Sequence, residues 1–321
     1  ICLFAYLCMY DLIIIGGGPG GTAAGVYAGR KKLNTLLITE SFGGQSLNSN
    51  DIENWIGTLK LTGFELAQML EKHVRAQESV KIQSPERVER IEKKESADFT
   101  NPIWEVSTNT DVYQTKALVV TSGGRRRKLE VPGEKEFEGR GVVYCSTCDA
   151  PLFRDKDVVV VGSGNAAMEG VVDLFPYANK IYHLIRGDHM KGHEATKEKI
   201  LEQEGEKVEI IYHGETTEIH GENLVTGITY LDKKTDTEKK LDVDGVFIEI
   251  GSIPNSEFMK GVVEMNEFDQ VVINHRSGET SESGVFAAGA VVDQLYDQNN
   301  ISVGDAIKAT LTAYNYLVHF K

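Results

Sequence analysis

Residues 10–40, "YDLIIIGGGPGGTAAGVYAGRKKLNTLLITE", pass from an apolar run through a cluster of glycines into small residues at helical spacing, and close on a second apolar run. A short run of Leu and Ile bounded by glycine reads as a buried strand. Strand, glycine turn, helix and strand in that order make a β-α-β unit. Within it Gly16, Gly18 and Gly21 stand as G-x-G-x-x-G. The first glycine permits a tight turn, the second lets the backbone approach a pyrophosphate, and the third lets the helix lie close to the strand. The phosphates would meet the positive end of the helix. A ribose acceptor is expected about twenty residues on, which singles out Glu40, with Thr39 beside it. The plainer account of Glu40 is a solvated loop acid.

The same pattern returns at residues 156–186, "KDVVVVGSGNAAMEGVVDLFPYANKIYHLIR". Here Gly162, Gly164 and Ala167 give G-x-G-x-x-A, in which a small third residue still allows close helix packing. At the end of the second strand Arg186 is followed by Gly187 and Asp188. An arginine there suits a 2′-phosphate and the aspartate opposes it, so NADPH, NADH and neither all stay open at this point. The expected fold class is α/β with two Rossmann-like dinucleotide-binding domains.

Between and beyond these units the pattern is coarser. Residues 64–77 read as an amphipathic helix, and residues 88–120 alternate as a small antiparallel sheet. "TSGGRRRKLEVPGEKEFEGRG" is rich in glycine and charge and reads as a connection with a hinge near Arg126. "KVEIIYHGETTEIHG" and "LVTGITYLDKK" suggest further strands, "DGVFIEIGSIPN" a return crossing, and residues 304–318 a last helix.

Composition narrows the class of partner. With 41% apolar and 26% charged residues in 321, the chain is an ordinary globular protein. Acidic residues outnumber basic ones 48 to 34, and the net charge of −14 argues against nucleic acid and anionic membrane as partners. Four cysteines are too few for a disulfide scaffold, which suggests the reducing cytoplasm. The opening "ICLFAYLCM" is apolar but too short to span a bilayer and lacks a charged leader. Since Met9 directly precedes "YDLIII", residues 1–8 read as an upstream extension, leaving Cys2 and Cys8 without function.

The remaining two cysteines lie in "YCSTCDAP", residues 144–151. A zinc site needs four ligands, and no paired histidine spacing accompanies Cys145 and Cys148, so no metal is expected. A chance pair of thiols competes with a redox couple, in which one thiolate attacks and the other resolves. Asp149 is placed to protonate a departing sulfur; a turn or cap residue is the alternative.

With these elements assembled, the chain from Met9 to Lys321 resembles the low-molecular-weight thioredoxin reductases. "IIIGGGPGGTAAGVYAGR" is similar to that family's FAD-binding opening, "GGQ" (residues 43–45) and "IENWIG" (residues 52–57) to its flavin-side loops, and "CSTCDAP" to its redox motif. "GSGNAAMEG" resembles the nicotinamide-domain loop, "IGSIPN" the return to the FAD domain, and "GVFAAGAVVD" the C-terminal FAD motif.

The resemblance implies a discontinuous FAD-binding domain of residues 9–125 and 246–321, with an NAD(P)-binding domain of residues 126–245 inserted and carrying the redox motif. It implies hinges near Arg126 and Gly245, about which the inserted domain rotates. FAD would be held by Gly16, Gly18, Gly21, Thr39, Glu40, Gly44, Gln45, Asn54, Gly289 and Gln298. NADPH or NADH would be held by Gly162, Gly164, Asn165, Ala167, Arg186 and Lys191. Cys148 would face the flavin, Cys145 would attack the disulfide of thioredoxin or a thioredoxin-like protein, and Asp149 would be the general acid. A homodimer is expected on the same ground.

Three positions depart from the family pattern. "IRGDHMK" keeps Arg186 and Lys191 but lacks a His and an Arg of the phosphate motif, Ala290 stands where a flavin-binding aspartate is usual, and Asp297 replaces an arginine before Gln298. Two further readings follow: a thioredoxin reductase that draws electrons from ferredoxin or a deazaflavin, and a flavin-binding or redox-sensing scaffold without turnover.

Overall fold

In the computed structural model, which describes residues 9–49, 52–95 and 99–321, the Leu-Ile run forms β1 (Tyr10–Gly17) and the small-residue run forms α1 (Pro19–Arg30). The expectation about Cys2 and Cys8 lies outside the described residues. Then come β2 (Thr35–Phe42), α2 (Gly63–Arg75), β3 (Val80–Gln83), β4 (Val88–Lys94), β5 (Ile103–Thr108) and β6 (Val112–Val120). β1 pairs parallel with both β2 and β6, with Ile14 opposite Leu37 on one side and Val119 on the other. Leu12 and Ile14 face the alanines of the flanking helices, while Ile13 and Ile15 pack on Trp104 and Val106. Both faces of the strand are therefore covered, which is why its sequence is continuously apolar rather than alternating.

Along β7 (Gly124–Arg126) the chain passes into a second compact unit, Arg126–Ser252. Its elements are β8 (Val142–Val143), the single turn α3 (Ser146–Asp149), β9 (Asp157–Val161), α4 (Asn165–Leu174), β10 (Lys180–Ile185), α5 (Glu194–Glu202) and β11 (Val208–Tyr212). The antiparallel strands β12 (Gly214–Gly221), β13 (Val225–Asp232) and β14 (Thr237–Asp242) follow, and then β15 (Gly245–Ile248). The parallel sheet of this unit has the order β11-β10-β9-β15-β8. β9 is again buried on both faces: Val158 and Val160 meet Ala167 and Met168 of α4, and Val159 and Val161 meet Ile228 and Leu184.

The chain leaves this unit along β16 (Ser252–Pro254) and completes the first with β17 (Val285–Ala287) and α6 (Asn299–Val318). β17 joins β6 in parallel, Phe286 opposite Val119, so the first sheet has seven strands. Gly245, read as a crossing point, is instead the first residue of a strand paired to β9. The crossing falls later, between Ser252 and Ile253. α6 also starts earlier than its pattern suggests, at Asn299 rather than Gly304. Among the described residues no helix is long and apolar enough to cross a membrane.

Candidate active site

Cys145 and Cys148 are bonded to each other across α3, with their Cα atoms 5.3 Å apart. Cys145 is the extended residue before the turn, and the Asp149 N–H closes the turn onto the Cys145 carbonyl at 3.1 Å. Both cysteines and Asp149 are half-buried, so the pair is reachable from outside the unit. The residues between the cysteines are tied down by acids. Ser146 donates its hydroxyl to Asp173 Oδ2 on α4 at 3.0 Å and its backbone N–H to Glu249 Oε1 at 2.9 Å, and Thr147 donates to the same Asp173 oxygen at 3.1 Å. Glu249 is buried, and that burial pushes its carboxyl up to about 7; the Ser146 amide and Arg126 oppose the shift. Tyr144, next to the pair, donates to Glu134 at 2.9 Å and accepts from Lys128 at 3.0 Å. Burial and the Glu134 carboxylate keep its phenol protonated.

The second glycine turn lies in the same unit. Gly162 has φ +146°, and a Cβ on it would overlap the Glu249 carbonyl, so Glu249 supports the glycine turn with its backbone and the redox turn with its side chain. Among the described residues a Cβ on Gly164 would meet nothing within 4 Å, which leaves bare backbone at the start of α4, where no acid or side-chain cap occupies the first turn. Asn165 Oδ1 accepts the His193 N–H at 2.8 Å, and the Lys191 N–H donates to the Ser163 carbonyl at 2.6 Å. The loop after β10 is thereby fastened to the glycine turn. Arg186 is exposed and lies 3.9 Å from Glu215, while Asp188 contacts His189 at 2.5 Å.

In the first unit Gly16 has φ +113° against Thr121, and a Cβ on Gly21 would overlap the Gly16 carbonyl. Among the described residues the neighbour within reach of a Cβ on Gly18 is the Gly44 backbone at 3.9 Å, and α1 begins without an acid or a side-chain cap. Glu40 is exposed at the end of β2, whereas the Thr39 hydroxyl is used by the Ser41 carbonyl at 2.7 Å and its methyl packs beside Gly17. Gln45 donates to the Gly124 carbonyl, and Asn54 donates to Gln298 Oε1 at 3.2 Å. Gly289 turns with φ +81° beside Ser302. Asp297 accepts from Gln294 Nε2 at 2.9 Å, and Gln294 Oε1 is buried with no partner among the described groups.

Two glycine turns of this kind and a bonded cysteine pair match a known family along residues 10–310. The chain belongs to the pyridine nucleotide-disulphide oxidoreductases. It is 37% identical over 309 residues to an NADH dehydrogenase of Bacillus subtilis (strain 168), covering 96% of this chain and 59% of that protein. Over 310 residues it is 36% identical to an alkyl hydroperoxide reductase component of Pseudomonas aeruginosa, covering 96% of this chain and 58% of that one. The chain thus spans less than two thirds of the length of these relatives. In structure it is similar to the thioredoxin reductase of Streptococcus pyogenes, with a TM-score of 0.88 and 31% identity over 98% of this chain and all of that one.

Pyridine nucleotide-disulphide oxidoreductases use FAD and a nicotinamide dinucleotide. Both glycine turns fit such groups, because each offers uncapped helix N–H groups behind a glycine with open space above it. Among the described residues no group of three or more His, Cys, Asp or Glu is placed to hold a metal. Sequence reading missed Glu249 and Asp173, which hold the redox turn, and Ser46, Asn299 and Asn300, which join the loop after β2 to α6. For Asp173 the helical distance from Gly164 was an available signal; Glu249 carried none, standing inside an apolar strand pattern.

Proposed function

We propose that this protein is a disulfide reductase that draws electrons from NADH through FAD into the Cys145–Cys148 pair and passes them to thioredoxin or a thioredoxin-like protein. The observation that supports this most directly is the half-buried disulfide on a turn of the unit that also carries the second glycine turn. When bound, the flavin supplies two-electron transfer between a nicotinamide and a disulfide. In the first unit Gly16, Gly18 and Gly21 would hold its pyrophosphate and Glu40 its adenosine ribose, and Gly44, Gln45, Asn54, Gly289 and Gln298 would hold the rest of it. In the second unit Gly162, Gly164 and Ala167 form the nicotinamide dinucleotide turn, and Asn165 and Lys191 hold the loop beside it. NADH is favoured because Asp188, two residues after Arg186, would repel a 2′-phosphate that Arg186 alone would have to hold.

After the pair has taken up two electrons and two protons, Cys145 passes its proton to Asp149 and its thiolate attacks one sulfur of the partner disulfide. A mixed disulfide forms, and the departing partner sulfur takes a proton from Asp149. Cys148 then gives up its proton and attacks Cys145 Sγ, which restores the intramolecular disulfide, and the second partner sulfur leaves with that proton as a thiol. Such work suits the cytoplasm, where disulfides are kept reduced. A homodimer is supported by exposed apolar side chains in one stretch of the first unit, with Ile56 at 81% and Leu59 at 95% exposure.

The reading is tested by loading the protein with FAD and following flavin bleaching anaerobically with NADH, NADPH and reduced ferredoxin. NADH is expected to bleach fastest; bleaching by ferredoxin alone would replace the donor. Cys145→Ser and Cys148→Ser should abolish thioredoxin reduction and spare flavin bleaching. Sustained thioredoxin turnover in either variant would refute the relay, and a protein unable to take up FAD would refute the whole reading.

A further inference from the structure

Glu249, directly after β15, is 6% exposed and carries a carboxylate with no cation in hydrogen-bond contact among the described residues. Its Oε1 accepts at 2.9 Å from the peptide N–H that immediately follows Cys145. α4 makes room for the contact: a Cβ on Gly170 would stand 3.3 Å from the Ser146 side chain and 3.7 Å from Glu249 Cγ. The charged groups facing Glu249 are Arg126 from β7, Asp173 from α4 and Asp149 from the redox turn, while β9 presents Val161. Three acids and one guanidinium therefore surround the cysteine turn.

We propose that Glu249 is a positioning residue for the Cys145–Cys148 pair: its carboxylate fixes the peptide after Cys145, and its negative charge, once ionised, makes the reduced dithiol less acidic. The proposal rests on the reading of that pair as the redox couple. A carboxylate held on the peptide N–H that follows Cys145 disfavours a second negative charge on that turn, and Arg126 acts in the opposite sense. Because burial raises the Glu249 carboxyl to about 7, the charge develops only as the pH rises through neutrality.

The test reduces the full chain with dithiothreitol, removes the reductant, and follows iodoacetamide alkylation of Cys145 and Cys148 by mass spectrometry from neutral to alkaline pH. In Glu249→Gln the amide oxygen still accepts the Ser146 N–H, so a purely mechanical role predicts the wild-type profile. The charge role predicts a midpoint lower by about one pH unit, which is roughly tenfold more thiolate below the midpoint. Arg126→Gln leaves the buried carboxylate in place and is expected to move the midpoint upward. A Glu249→Gln profile that superimposes on wild type, or shifts of both variants in one direction, would overturn the proposal. None of these measurements needs flavin, nucleotide or a protein partner. Shifted profiles in a protein that reduces no partner would sink the proposed function and leave this inference standing.

Discussion

His183 and Glu249 are buried in the second unit, one a base and one an acid, and burial acts on both through the charged form. His183 is fully buried; its Nε2–H donates to the Gly162 carbonyl at 3.0 Å, and Nδ1 has no partner among the described groups. Burial lowers its pKa from 6.5 to about 4, so its contribution to stability is complete above pH 6.5 and is lost as the pH falls toward 4. Glu249 is raised from 4.5 to about 7, so its contribution is complete below pH 4.5 and is lost as the pH rises toward 7. Each window is worth about 3 kcal/mol. Urea unfolding over this range should find Glu249→Gln more stable than wild type by about that amount above neutrality and equal to it in acid. His183→Gln should flatten the acid limb. A Glu249→Gln stability curve parallel to wild type would contradict the assignment. The glycines of both turns were legible because the spacing itself encodes the steric demand, as the overlap of a Gly21 Cβ with the Gly16 carbonyl shows. Glu249 was not legible, because only the fold brings "FIEIG" against the turn that follows Cys145.

At the scale of elements, α2 shows how a local signal supports a distant site. Thr62 accepts the Glu65 N–H at 3.1 Å while Glu65 accepts the Thr62 N–H at 2.8 Å, a capping box at the helix start. The next residue, Gly63, packs so closely that a Cβ would overlap the Ser46 carbonyl in the 3-10 turn Gly44–Asn48. Thr62→Ala is expected to cost about 1 kcal/mol, seen as a lower melting temperature that Thr62→Ser restores. A melting temperature unchanged in Thr62→Ala would mean that the cap is idle. The periodicity of α2 was readable within a residue or two of its ends, whereas the start of α6 was not. "QNNIS" looks like a loop because Asn disfavours helix interiors. Here Asn299 accepts from Ser46 at 3.2 Å and Asn300 donates to the Asn54 carbonyl at 2.8 Å. These partners come from the loop after β2, and no local pattern reveals them.

For the whole molecule, the order of the two glycine fingerprints and the cysteine turn made the two-unit layout readable, and the return falls within "IGSIPN", whereas the domain boundary at residue 246 and the hinge near Gly245 come before it. "DGVF" looks like the start of a return, yet Gly245–Ile248 fills the space between β9 and β8 and belongs to the second sheet. The strands that carry the crossings are neighbours: Arg127 N–H donates to the Gly251 carbonyl at 3.0 Å and Asn255 N–H to the Gly123 carbonyl at 2.9 Å, an antiparallel register. Arg125 and Ile253 are thus facing partners on adjacent strands, and an Asn-Gly turn between them would close a hairpin. A chain joined in this way, without residues 126–252, is expected to unfold in one cooperative transition by circular dichroism; a non-cooperative melt would refute the expectation. The second unit is in this sense a cartridge: the chain enters it and leaves it at facing residues of one strand pair. The second glycine turn and the cysteine pair can be exchanged together in one segment, while every strand of the first sheet keeps its neighbours.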